Sequence, residues 1–120
     1  MYRLQKIMDE YAAGVIANFS TNKPLMDIGM ELLAFLNEDA EKLGARDLHE
    51  LMRAHECKHR TMQADTHIRT MMAREETRWP GYYFRADTPK MDDANWLKFV
   101  NIKLENGEFK IIERKIHTIC

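Results

Sequence analysis

Two cysteines in 120 residues, Cys57 and Cys120, are too few for a disulfide framework. No apolar run approaches the ~20 residues needed to cross a bilayer. Met1-Tyr2-Arg3 leads straight into an amphipathic pattern rather than the continuous apolar stretch of a secretion signal. These absences point to the cytoplasm. Neither sign of charge dominates. A formal net charge of −1 gives no general attraction for nucleic acid or an anionic membrane. There is no internal repeat, low-complexity tract or flexible linker. No G-x-G-x-x-G follows a strand, and there is no Walker loop, no cysteine cluster spaced for an iron–sulfur centre and no nucleophile elbow. What remains is an ordinary globular mixture, 45% hydrophobic and 31% charged, with room for one core. Nine methionines suit the gaps of helical cores better than they suit binding.

What the chain does contain is concentrated between Glu76 and Trp96. Both tryptophans, two of the three prolines and two of the four tyrosines fall there. Pro80-Gly81 ends any helix arriving from upstream, because proline lacks an N–H and clashes with the preceding turn. Tyr82-Tyr83-Phe84 follows directly. Such an aromatic run in an irregular segment either covers the chain's own helices or docks on another domain or subunit.

Upstream of this block the pattern is helical. Leu4, Ile7, Met8, Tyr11, Val15, Ile16 and Phe19 recur at spacings of three and four, predicting a helix over about 2–18. Gly14 within it costs about 1 kcal/mol relative to alanine and lets another helix approach. Asn22 or Thr21 can cap a second helix from about Pro24 to Leu43, with proline in its first turn. Its expected buried face is Leu25, Ile28, Leu32, Leu36 and Leu43, widened by Leu33 and Phe35, and Gly44 stops it. Asp47-Leu48-His49-Glu50 has the form of a capping box and opens a third helix from Leu48 to about Glu75. Its apolar residues, Leu48, Leu51, Met52, Met62, Ile68, Met71 and Met72, make a less continuous stripe.

Downstream the pattern becomes strand-like. Residues 96–104 alternate in part, Asn106-Gly107 is a strong two-residue hairpin signal, and 109–116 supply the second strand. A lone hairpin is marginal in water, so this one should lie on the helices or on a partner. The expected fold is mainly α: a three-helix up-down-up bundle (1–76), then an extended aromatic segment and a C-terminal β-hairpin (77–120), one domain overall.

His55-Glu56-Cys57-Lys58-His59 is the sharpest chemical motif. In an H-E-x-x-H on a helix, two histidines share a face and can chelate zinc, with the glutamate as general base. Asp65, Glu75 or Glu76 would have to supply a third ligand. The extended form of the motif needs a glycine to turn the chain back to the metal, and Met62 stands there. Asp65 lies ten residues past His55, nearly three turns along a straight helix. Solvated or structural histidines are therefore the expectation, and a small zinc hydrolase is the least favoured reading. Cys57 is expected to be a small buried side chain, although Lys58 and Arg60 could activate a thiolate.

Arg78-Trp79-Pro80-Gly81-Tyr82-Tyr83, followed by Asp92-Asp93 and Asn95-Trp96, resembles the C-terminal domain of adenylylsulfate reductase alpha subunits. These belong to the fumarate reductase/succinate dehydrogenase flavoprotein superfamily. The resemblance reaches back to Leu4-Gln5-Lys6-Ile7-Met8-Asp9-Glu10-Tyr11, and so covers nearly the whole chain. It implies a parent enzyme that reduces adenylylsulfate to sulfite and AMP with FAD, served by an iron–sulfur beta subunit. It implies no zinc and no catalytic, cofactor-binding or metal residue in this segment, whose role would be to support the flavin domain. Arg78, Trp79, Tyr82, Tyr83, Arg85 and Trp96 are the candidate domain or subunit interface. The charged residues Arg74, Glu75, Glu76, Asp87, Asp92 and Asp93 are placed to fix that block by ion pairs. The competing class is a free-standing protein-interaction module descended from such a domain, in which the isolated domain covers its apolar surface as a homodimer.

Overall fold

A computed structural model describes residues 1–13, 19–78 and 83–117. Among these the chain is mostly helical and ends in an antiparallel β-hairpin. In order, the elements are α1 (Tyr2–Ile7), continued by a π-helical segment (Met8–Ala13), then β1 (Phe19–Thr21), α2 (Lys23–Glu41) and α3 (Leu48–Ala73). β2 (Tyr83–Arg85), a single turn α4 (Asp93–Trp96), β3 (Lys98–Glu105) and β4 (Glu108–Lys115) follow.

The helix starts follow local chemistry. Asn22 caps α2, its Oδ1 accepting the Leu25 N–H at 2.9 Å, with Pro24 in the first turn, where its missing N–H costs nothing. Asp47 caps α3 by accepting the Glu50 N–H at 2.8 Å. The Glu50 carboxylate reaches back one residue further than a capping box predicts, to the Arg46 N–H at 2.9 Å.

The first helix differs from its expected form. After two turns of α-helix the backbone widens into the π segment, and Phe19 belongs to an extended strand instead of a helical face. Val15, Ile16 and Gly14 lie outside the described residues. The close helix approach falls at Gly29 of α2, where an added Cβ would stand 3.0 Å from the Tyr11 Cβ. α3 ends at Ala73, well before Pro80, as Arg74 turns extended.

The core is formed by Leu4, Ile7, Ala12, Met26, Leu33, Ala64, Ile68 and Met71. Met8, Tyr11, Met30, Leu32, Leu36, Met72 and Tyr83 pack around it. Burying each large side chain of this set stabilises the fold by about 1.5–3 kcal/mol. The buried face of α2 is thus Met26, Gly29 and Leu33, whereas Ile28 and Phe35, expected inside, are exposed. Apolar residues occupy most of this helix's circumference, so periodicity alone fits several faces. Leu43, Leu48, Leu51, Met52 and Met62 are likewise exposed. Glu41, the last residue of α2, pairs with Lys58 of α3 at 2.7 Å.

β1 and β2 pair in parallel, with Thr21 opposite Arg85. The Ala86 N–H donates to the Thr21 carbonyl at 2.8 Å, and the Thr21 hydroxyl donates to the Tyr11 carbonyl at 2.8 Å. This short ladder ties the α1–α2 connection to the segment after the aromatic block. The hairpin turns through Asn106 (φ 55°) and Gly107 (φ 82°), the left-handed pair that a two-residue turn between twisted strands requires. Trp96, expected to open the first strand, instead closes α4.

Candidate interface around the Glu76 carboxylate

The last turn of a helix leaves carbonyls without intrahelical partners, and a cation is favourable beside them. Arg85 fills that role for α3. Its guanidinium donates to the carbonyls of Met71 (2.8 Å) and Arg74 (2.9 Å) and grips the Asp87 carboxylate with two further N–H groups. The residue is 1% exposed. Tyr83 adds its hydroxyl to the Met71 carbonyl at 3.1 Å. Burial pushes the Tyr83 phenol above its ordinary range, while the Arg85 hydrogen bond holds the Asp87 carboxyl below its own.

Glu76 is fully buried. Arg78 meets it with two parallel N–H groups at 2.6 and 2.9 Å, Arg74 donates from the helix end, and the Asp92 N–H donates at 3.1 Å. Burial pushes this carboxyl up, but the donors from Arg78, the Asp92 backbone and Arg74 outweigh it, so it lies below the usual range. Arg78 also reaches Asp93 at 2.9 Å, and Arg74 donates to the carbonyls of Trp96 (3.1 Å) and Lys98 (2.6 Å). One carboxylate thus joins the end of α3, the start of the aromatic block, α4 and the root of the hairpin. Thr77 completes the set: its hydroxyl accepts the Arg85 N–H at 2.9 Å and donates to the Thr88 carbonyl at 2.8 Å.

Of the six candidate interface residues, four are described. Arg78, Tyr83 and Arg85 converge on the network, and Trp96 stands at its edge, with the Arg74 guanidinium 5.7 Å and the Lys98 ammonium 4.6 Å from its ring centre. Trp79 and Tyr82 lie outside the described residues. The chain enters and leaves that stretch side by side, since the Arg78 N–H donates to the Tyr83 carbonyl at 3.2 Å. Glu76 and Asp87 were legible as charged neighbours. Thr77 was not, because a threonine between two charged residues carries no signal of its own.

The His55 and His59 rings are exposed on α3 with centroids 6.5 Å apart, and Glu56 pairs with Arg53 at 3.4 Å. Among the described residues no three His, Cys, Asp or Glu side chains converge to hold a metal ion. Cys57 is half-buried at a cleft of about 190 Å³ between the starts of the chain and the end of α2, lined also by Leu4, Leu36, Leu43 and Thr61. Cys120 lies outside the described residues. No helix among them is long and apolar enough to cross a membrane.

The family model described as fumarate reductase flavoprotein C-term matches residues 1–119, and the chain belongs to that family. Within it, the adenylylsulfate reductase alpha subunit of Megalodesulfovibrio gigas is 44% identical over 99% of this chain, which spans 18% of that relative. The solved adenylylsulfate reductase of the hyperthermophile Archaeoglobus fulgidus shares 50% identity and a TM-score of 0.91 over 98% of this chain and 18% of that one. The quinol fumarate reductase of E. coli shares the fold, with a TM-score of 0.75 at 22% identity over 98% of this chain and 22% of that one. The chain therefore spans about a fifth of the length of the relatives it matches.

Proposed function

We propose that this chain is the C-terminal helical domain of an adenylylsulfate reductase-like FAD enzyme of the cytoplasm, a structural support for the flavin domain and part of the subunit interface. By resemblance, the parent reduces adenylylsulfate to sulfite and AMP and takes its electrons from an iron–sulfur beta subunit. The observation that carries this reading is the likeness to the Archaeoglobus reductase across nearly the whole chain.

The described residues offer no glycine-rich cradle for a flavin. Among the described glycines, Gly29 is packed against Tyr11, and Gly44 and Gly107 stand in open turns. None lies in a strand-to-helix loop where a backbone could approach a pyrophosphate. The flavin belongs to the parent's other domains, and no chemical step is assigned to this chain.

Residues 1–76 form an up-down-up bundle in this reading. Arg3 at the start of α1 meets Asp39 near the end of α2 (2.6 Å), and Lys58 of α3 meets Glu41, whereas Gly29 lies beside both Tyr11 and Ile68. Residues 77–120 then form the docking side. Arg78, Trp79, Tyr82, Tyr83, Arg85 and Trp96 are the proposed domain or subunit interface.

The test is the size of the native polypeptide, probed with an antibody against residues 77–96. A band several times larger than this chain, with flavin absorbance in the purified protein, is the expected result. A band at the chain's own size with no co-purifying flavoprotein overturns the proposal in favour of a free-standing module.

A further inference from the structure

Directly opposed residues of an antiparallel pair share a face of the sheet. In the β3–β4 ladder Ile102 opposes Ile111 and Leu104 opposes Phe109, so these side chains lie on one face, the face turned to α2 and α3. That face does not close flat on the helices. Ile102, Phe109 and Ile111 form one wall of a cleft of about 390 Å³, and Met30 of α2 with Met72 of α3 forms the other. A cleft of this size, mostly apolar with a polar group to fix orientation, has the build of a small-molecule site. Its two thioethers adapt to the shape of whatever enters.

One charged side chain joins the lining, Arg69. Its Nε donates to the Asp65 carboxylate at 2.9 Å, and Asp65 is only 8% exposed. Its guanidinium carbon lies 4.9 Å from the Phe109 ring centre. Held by a buried carboxylate at one edge and a ring at one face, the guanidinium is oriented before any ligand arrives. Asp65 accepts from Nε, and among the described residues no protein acceptor meets the two terminal nitrogens. The side chain keeps 42% of its surface exposed, so these N–H groups are open to a ligand. Two parallel N–H groups of one guanidinium match the two oxygens of one carboxylate.

We propose that this cleft binds a small aliphatic carboxylate, with its chain between the hairpin and the helices and its head on the terminal nitrogens of Arg69. The chemistry of the lining selects this occupant. Methionine, isoleucine and phenylalanine side chains offer nothing to pair with the hydroxyls of a sugar or the edges of a base. A single guanidinium fork matches a single carboxylate. An ammonium head would have to take Asp65, which is buried and already held by Arg69. The cleft shares no residue with the Glu76 network, so the inference stands apart from the proposed function.

The test titrates the 120-residue chain with sodium octanoate, below micelle formation, and follows the methyl resonances of Met30 and Met72. Both are expected to shift and to saturate at one ligand per chain. Decanoate should bind about tenfold more tightly than octanoate, since each added methylene contributes about fourfold. Arg69→Gln is expected to weaken octanoate by about tenfold and leave 1-octanol unchanged. On the wild-type chain octanoate should out-bind 1-octanol and octylammonium by about tenfold, a comparison that holds even if the variant fails to fold. Equal binding of the three head groups, or shifts that never saturate, means an adventitious additive only and overturns the proposal. A preference for octylammonium hands the site to Asp65 and overturns it as well.

Discussion

The Glu76 network and the hairpin sit side by side, joined through Arg74, yet they invert the usual rule of burial. The network places charges in the interior: Glu76 and Arg85 are among the most buried side chains of the molecule. The hairpin places apolar groups outside: Phe99, Leu104, Ile111 and Ile112 are all 40% exposed or more. The Glu76 carboxylate and the Arg85 guanidinium both find their partners within the chain. On the hairpin's other face, away from the helices, the charged groups pair among themselves while Phe99 and Ile112 stay 54% and 40% exposed. A buried charge is tolerated only when paired and hydrogen-bonded, so the network has to close locally. Apolar surface carries no such demand and can wait for a partner. The first region makes the fold, and the second has the character of an attachment.

The largest expected effect is on the closed region. Arg85→Met leaves the Asp87 carboxylate unpaired and the Met71 and Arg74 carbonyls short of a donor. Loss of a buried charged donor to two carbonyls costs about 1.5–3 kcal/mol, to be read as a fall in the urea midpoint. An effect under about 1 kcal/mol would show that the network is ornamental and break the contrast. Acid should act on the same region. Glu76 and Asp87 are both held below their ordinary values in the fold, so their contribution is complete above the unfolded carboxylate range, about pH 4–4.5. It is lost as pH falls through the depressed folded values. Urea midpoints taken from pH 6 downwards should fall for wild type and fall less steeply for Glu76→Gln. The smallest effect belongs to the open region. Gly107→Ala forces a side chain into a left-handed conformation at a cost of about 1–2 kcal/mol. Because the strained turn lies at the far end of the hairpin from its Arg74-held root, amide exchange should speed up in residues 98–115 and leave α2 and α3 nearly unchanged. Uniform acceleration across the chain would show that the hairpin folds as one unit with the helices.

Local signals were read reliably where the chemistry is local. Asn22, Asp47 and Asn106-Gly107 act through neighbours within four residues, and each marks the cap or turn that its side chain or φ angle requires. On α2 the expected Leu32, Leu33 and Leu36 do meet the core, but Ile28 and Phe35 are exposed and Met26 and Gly29 take the centre of the face, because several stripes of this apolar helix fit equally well. Only the position of α1 and α3 distinguishes them. The β1–β2 ladder was invisible for a similar reason. Three residues at Phe19–Thr21 meet three at Tyr83–Arg85, more than sixty positions later, and neither run is long enough to announce a strand.

The candidate interface divides in the same way. Its charged and aromatic composition was plain, as were the residues shared with the reductase alpha subunits. Which carboxylate stands at the centre was not, since Glu75 and Glu76 are adjacent and chemically identical.

The amino-acid sequence by itself determined the two long helices with their caps, the hairpin with its turn, and the family, because each depends on short-range stereochemistry or on a motif written in consecutive residues. Only the tertiary structure decided that Glu76 is buried while Glu75 is exposed, that Arg85 closes the end of α3, and that one face of the hairpin is left uncovered. Those outcomes depend on which distant groups arrive to pair with a charge or to cover an apolar surface, and no spacing along the chain encodes that arrival.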